Sequence, residues 1–333
     1  MSYVWTPPLE LVEQSNLTAF LRATGEVDFD TLARRADADP AWLMHEVFRF
    51  CDVRFYRPYD QKLDLSRGHP WARWCVGGTT NIVLNCIDRH RNTPVWNQTF
   101  LVWEGEDKRE RRTLSYREFS GEVDRLARAL LTLGIGKGDV VAIYMPNLPE
   151  TFAAFFAILK IGAIVMPLFS GYGPSPIQSR LNHGEAKAVI TANGTWRRGA
   201  AAPLKSVLDE ALQDAPSVRH VIVVERNGLG IDTPMCAGRD RWWNDIRPGD
   251  EREIATLEMQ AEDPAILLYT SGTTGEPKGC IWTHIGFIGT MVTRDIIIAA
   301  ISSPQTAFSS SATWAGWWER CAPASRALPA AAS

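Results

Sequence analysis

The chain has 333 residues, of which 45% are hydrophobic and 22% charged, and a net charge of −3; that is the profile of a soluble globular protein with room for two ordinary domains and a sizeable core. The mildly acidic balance, with a pI near 6.1, argues against a nucleic-acid or anionic-membrane partner. No basic stretch followed by an apolar run opens the chain, the apolar runs at 152–158 and 296–301 are too short for a bilayer, and the six cysteines (51, 75, 86, 236, 280, 321) form no C-x-x-C pair; a cytoplasmic protein with free thiols and no metal cluster is expected.

The first ninety residues are rich in Trp, Arg and Asp, with weak periodicity. Within them, Pro40 to Phe50 reads as a short amphipathic helix, with Leu43, Val47 and Phe50 at helical spacing, Asp39 as its cap and Pro40 in its first turn. Tyr56 to Asp60 and Ser66 to Pro70 carry loop signals.

A regular alternation follows. Phe100 to Trp103 is a strand, and Ser115-Tyr-Arg-Glu118 is a capping box opening a helix that buries Val123, Leu126, Ala127 and Leu130 and stops near Gly134. Val140 to Met145 is a strand. Pro149 opens the next helix, with Phe152, Phe155, Phe156 and Leu159 on one face. Strands are expected at Ala163–Leu168, Ala188–Thr191, His220–Glu225 and Ala265–Tyr269. Strands alternating with helices indicate an α/β fold with a layered, mostly parallel sheet, and ligands of such sheets sit at loops beyond the carboxyl ends of the strands. Two loops of that kind stand out, Phe169 to Pro174 and Thr270 to Gly279. The first reads at least as well as a plain connection.

The second loop carries the chemistry. The string Tyr269-Thr-Ser-Gly-Thr-Thr-Gly-Glu-Pro-Lys-Gly279 follows a short apolar strand. Glycines let backbone N–H groups approach phosphate oxygens, Ser271, Thr273 and Thr274 add hydroxyls, and Lys278 adds a point charge. The pattern is not a Walker loop, because Gly279 follows Lys278 where that motif has Ser or Thr. Read without its neighbours, the loop serves equally as a turn or as a phosphate cradle.

The whole string resembles the signature of the AMP-forming acyl-CoA synthetases of the adenylate-forming superfamily. Trp74 to His90 resembles the N-terminal extension of the acetyl- and propionyl-CoA synthetases, Leu114 to Glu118 and Gly138 to Pro146 resemble the stretches that follow, and Asn16 to Phe20 is more similar to acetoacetyl-CoA synthetases. The resemblance implies the large domain of an adenylate-forming enzyme. It implies a ligase that joins a short-chain carboxylate to coenzyme A through an acyl-adenylate, with ATP and CoA as substrates and Mg²⁺ as cofactor. It assigns Thr270, Ser271, Gly272, Thr273, Thr274, Gly275 and Lys278 to the ATP phosphates. By the same resemblance Arg197, Arg198 and Gly199 face CoA, although Ala200 stands where the pattern has a second basic residue. The alternative for that turn is a solvated basic loop.

Three segments are expected: an extension over 1–90, the N-terminal part of the adenylation domain over 91–298, and a tail of different character over 299–333. The family's Tyr-x-x-Thr-Glu and Thr-Gly-Asp motifs and its C-terminal lid with a catalytic lysine have no counterpart in these residues, so the fold is expected truncated, with no lid, and inactive in turnover. Codons of the tail read one base earlier force Gly at Trp314-Ala315, Val at Trp317-Trp318 and Gly at Trp318-Glu319, and permit Asp-x-Gly-Trp there. That segment is similar to one the short-chain synthetases carry, so a frameshift near 299–303 is the expected origin of the tail. A catalytically silent product and a different adenylate-forming enzyme are the alternatives.

Overall fold

The structure, a computed structural model, describes residues 6–106, 110–197, 199–226, 228–246, 253–270, 278–289 and 293. Ser271 to Gly275, Arg198 and the tail from 299 lie outside the described residues.

A seven-stranded sheet organises the molecule. In chain order its strands are β1 (Val140–Tyr144), β2 (Ile164–Leu168), β3 (Ala188–Ala192), β4 (His220–Val224), β5 (Asp240–Trp242), β6 (Pro264–Thr270) and β7 (Lys278–Thr283). Their spatial order is β5-β4-β3-β1-β2-β6-β7, and all neighbours are parallel except β6 and β7. Strands β1 and β3 are almost wholly buried, as expected for parallel strands covered on both faces.

Helix α1 (Tyr116–Thr132) packs on α2 (Pro149–Lys160), and α3 (Pro174–His183) packs on α4 (Lys205–Ala211). The chain steps one way from β1 to β2 and the other way from β2 to β3. Right-handed crossovers then put the first helix pair on one face and the second pair on the other. The capping box forms as its residues dictate: Ser115 Oγ accepts from the Glu118 N–H at 3.2 Å, and Glu118 Oε2 accepts from the Ser115 N–H at 2.8 Å. Val123, Leu126, Ala127 and Leu130 are buried, and Gly134 takes the left-handed conformation just beyond the helix end, with φ +77°. Helix α2 departs from the one-faced reading, because every one of its residues except Glu150 is buried.

The cover on the outer side of α2 is the N-terminal extension. The helix read at Pro40–Phe50 forms, and its Asp39 cap accepts from the Trp42 N–H at 2.9 Å, while the weak periodicity of residues 1–90 conceals further helices at Leu9–Glu13, Asn16–Thr24 and Phe29–Ala38. The loop signals at 56–60 and 66–70 flank an antiparallel pair, Gln61–Asp64 with Arg73–Val76. The extension is joined to the sheet by polar bonds over long sequence separations. Buried Asn81 donates to the carbonyls of Leu159 at 3.1 Å and Leu257 at 3.0 Å, and accepts from the Val83 N–H at 2.9 Å. Lys160, 1% exposed, lies 3.1 Å from Asp124 and 3.5 Å from Asp88. It sits in the last turn of α2, where a cation also complements the helix dipole. Fully buried His284 accepts at its Nδ1 from the Ile82 N–H at 3.3 Å, and its backbone N–H donates to the Asp263 carbonyl at 3.1 Å. No described helix is long and apolar enough to cross a membrane.

Candidate nucleotide-binding edge

The parallel register sets the carboxyl ends of β1, β3, β2 and β6 along one edge. Between β1 and β3 the connections leave in opposite directions, which is the switch point where α/β sheets open a crevice. Beyond that edge lie Phe169 to Pro174, Asn193 to Arg197 and Gly199 to Leu204, together with Thr270 and Lys278, the described ends of the 270–278 loop.

Tyr144 ends β1 and reaches into this edge. Its ring is 1% exposed, and its hydroxyl donates to the Tyr172 carbonyl at 3.0 Å. Burial pushes its pKa up to about 12, while the positive charge of Arg197 pulls the other way. Tyr144 therefore stays protonated and tethers the 169–174 loop. The neighbouring Thr191 donates to the Tyr144 carbonyl at 2.8 Å and ties β3 to β1.

After β3 the chain makes a hairpin, Gly194–Arg197 with Ala200–Pro203. Asn193 holds its base: its side-chain oxygen accepts from the Arg226 N–H at 2.9 Å, and its carbonyl accepts from the Leu204 N–H at 3.1 Å. Arg197 pairs with Ala200 across the turn, and Gly199 has φ +79°, the left-handed conformation a tight turn asks of glycine. Both residues are exposed. A Cβ placed on Gly171 would stand 3.1 Å from Arg197 Nη1 and 2.5 Å from Phe169 Cε1. The glycine in the first loop thus lets the arginine of the second come close. The sequence read these two loops separately, and the fold brings them together.

Below the hairpin, Lys205 is 1% exposed, and its Nζ lies 2.6 Å from Asp209 and 2.7 Å from fully buried Asp240. Arg239 also binds both carboxylates, each at 2.6 Å. Burial alone would raise the Asp240 pKa, but hydrogen bonds from Arg239 and Lys205 outweigh it and hold the carboxyl below its usual range. This closed group fixes the chain directly after the hairpin.

The third loop rises from an antiparallel pair. Thr270 is opposite Lys278 and Tyr269 opposite Gly279. Thr270 and Lys278 are both exposed at the carboxyl edge. The Tyr269 hydroxyl and His183 Nδ1 are hydrogen-bonded at 2.7 Å. Sequence reasoning missed Tyr144, Arg180 and His183. The first is a polar tip closing an apolar strand, and the other two are three residues apart on one helix, but their partners are remote in sequence.

The surface has the exposed Thr270 hydroxyl and Lys278 ammonium at the ends of one loop and Arg197 on another, which suits a phosphate-bearing ligand. Among the described residues no group of three or more His, Cys, Asp or Glu side chains could hold a metal ion. A divalent ion that uses only one or two carboxylates plus substrate phosphates needs no such cage.

Comparison with known proteins gives the class. A model described as "AMP-binding enzyme" matches residues 88–314, and one described as "Acetyl-coenzyme A synthetase N-terminus" matches 29–86. The chain belongs to the AMP-binding enzyme family. Within it, the chain is 41% identical over 271 residues to an acetyl-coenzyme A synthetase of Gemmatimonas aurantiaca, covering 80% of this chain and 41% of that protein. It is 37% identical over 284 residues to an acetyl-coenzyme A synthetase of Mycolicibacterium smegmatis, covering 85% and 28%. The fold is that of acetoacetyl-CoA synthetase from Streptomyces lividans, with a TM-score of 0.79 at 24% identity, over 87% of this chain and 45% of that one. The chain thus spans less than half the length of these relatives.

Proposed function

We propose that this chain forms the ATP-phosphate-holding and CoA-facing edge of an AMP-forming, short-chain acyl-CoA synthetase working in the cytoplasm. The observation that carries the reading is the convergence of the Thr270–Lys278 stalks, the 169–174 loop and Arg197 on one edge of the sheet, in a chain of the AMP-binding enzyme family. In the reaction, a carboxylate oxygen attacks the α-phosphorus of ATP and pyrophosphate leaves; the CoA thiol then attacks the acyl carbon and AMP leaves. Thr270 and Lys278, with Ser271, Gly272, Thr273, Thr274 and Gly275, hold the β- and γ-phosphates and neutralise the leaving group. Arg197, Arg198 and Gly199 meet the nucleotide phosphates of CoA. Mg²⁺ bound with the ATP phosphates would supply further charge stabilisation beside Thr270 and Lys278. The reading also divides the chain at 90 and 298 and gives residues 299–333 a frameshifted origin, which the nucleotide sequence of the gene checks.

Titration calorimetry of the 333-residue chain with Mg-ATP tests the holding step. Binding is expected, and Lys278→Met is expected to weaken it about tenfold, the worth of a charge-assisted bond. Wild-type affinity unchanged by Lys278→Met would remove the loop from the site. Pyrophosphate release that depends on acetate, propionate or acetoacetate would assign the complete reaction to these residues. Binding without release assigns them the holding step.

A further inference from the structure

Helix α3 carries a cation to which the reaction above gives no role. Arg180 is 7% exposed. Its Nη1 donates to the Pro176 carbonyl at 2.7 Å, its Nε has no hydrogen-bond partner, and among the described residues it forms no ion pair. A buried charge without a counter-charge is costly unless something else compensates it. Here two aromatic faces do so: the guanidinium carbon lies 4.6 Å from the ring centroid of Tyr172 and 5.6 Å from that of Tyr269. One turn later on the same helix, His183 bonds the Tyr269 hydroxyl, and its Cε1 lies 3.6 Å from where a Cβ on Gly279 would stand. Tyr269 and Gly279 are partners across the two stalks of the loop. One face of α3 therefore touches both stalks and, through Tyr172, the loop that leads into its own first turn.

The geometry points to Arg180 as a positioning residue: with His183 it clasps the Tyr269–Gly279 stalks and couples them to the 169–174 loop, so that the phosphate side and the CoA side of the edge move as one piece. The inference rests on the phosphate-loop reading of Thr270–Lys278. The arrangement also leaves a buried positive charge against Tyr269 in the first stalk, where it adds to the field of Lys278.

Hydrogen exchange on the 333-residue chain tests the clasp, with Arg180→Met removing charge and stack, and Arg180→Lys keeping a cation within reach of both rings. In Arg180→Met, amides of 264–270 and 278–283 are expected to exchange about tenfold faster, matching two lost cation–π contacts, while those of 140–144 and 188–192 are unchanged. Arg180→Lys is expected to recover at least part of that protection. Unchanged exchange in the stalks overturns the proposal, and so does an equal acceleration at the sheet centre, which marks a merely structural residue. In parallel, calorimetry with Mg-ATP and magnesium pyrophosphate is expected to show Arg180→Met weakening both, with a smaller deficit at high salt, as a charge effect requires. If the wild-type chain binds neither ligand, the phosphate-loop reading fails by itself, and the exchange result still decides whether Arg180 holds the stalks.

Discussion

His284 gives the sharpest test of how the extension is fixed to the sheet. It is fully buried, it accepts from the Ile82 N–H, and burial drives its pKa down from 6.5 to about 3. Below pH 6.5 the unfolded chain takes up a proton at this imidazole that the folded chain refuses, so stability falls as pH drops through the window from 6.5 toward 3. The slope is about 1.4 kcal/mol per pH unit, or about 2 kcal/mol lost by pH 5. His90, held near 4 first by burial and then by Arg89 and Arg54, acts with the same sign. Replacing His284 by Asn keeps an acceptor for Ile82 but removes the titration, and leaves His90 in place. Urea unfolding midpoints at pH 7, 6 and 5 are the assay. The His284→Asn variant is expected to lose about 2 kcal/mol less than wild type between pH 7 and 5, whatever its stability at pH 7. Equal slopes for the two proteins would refute the reasoning, because they would mean that His284 is protonated in the folded chain.

Three further outcomes follow from the geometry. Asn81→Ala leaves the buried Leu159 carbonyl and the part-buried Leu257 carbonyl without their side-chain donor and is expected to cost about 1–3 kcal/mol in urea unfolding. Lys205→Met leaves Asp240 with Arg239 as its one charged partner among the described residues, beside the Cys236 N–H; a loss of about 3 kcal/mol is expected, with faster hydrogen exchange in 194–203. Ser115→Ala breaks one half of the capping box and is expected to lower the thermal midpoint by an amount worth about 1 kcal/mol.

The elements legible in the sequence were those with local signals. The box at Ser115 and Glu118, Pro149 at the head of α2, and the apolar runs of β1, β2, β3, β4 and β6 all specify themselves within a few residues. The antiparallel β7 did not, because Gly279 and Cys280 lack strand character and the strand exists through its pairing with β6. The N-terminal helices were hidden because only Phe20 and Leu32 of the first three are buried, leaving little periodic signal. The site followed the same rule. Thr270, Lys278 and Arg197 were named from motifs, but the meeting of Arg197 with Gly171, and of Arg180 and His183 with Tyr269, depends on crossovers that no local window contains.

The near-complete burial of α2 bears on the order in which the chain can be made. Its outer cover comes from residues more than sixty positions earlier, and Asn81 also waits for Leu257, which is synthesised 176 residues later. Contacts of such separation raise the contact order and slow folding. A nascent chain that has passed residue 160 therefore holds a helix with a long apolar run, Phe152 to Leu159, whose polar anchors are incomplete, a species prone to self-association. Expression that slows synthesis or supplies a holdase over this interval is expected to improve the yield of folded protein, and trimming the chain ahead of residue 81 to lower it.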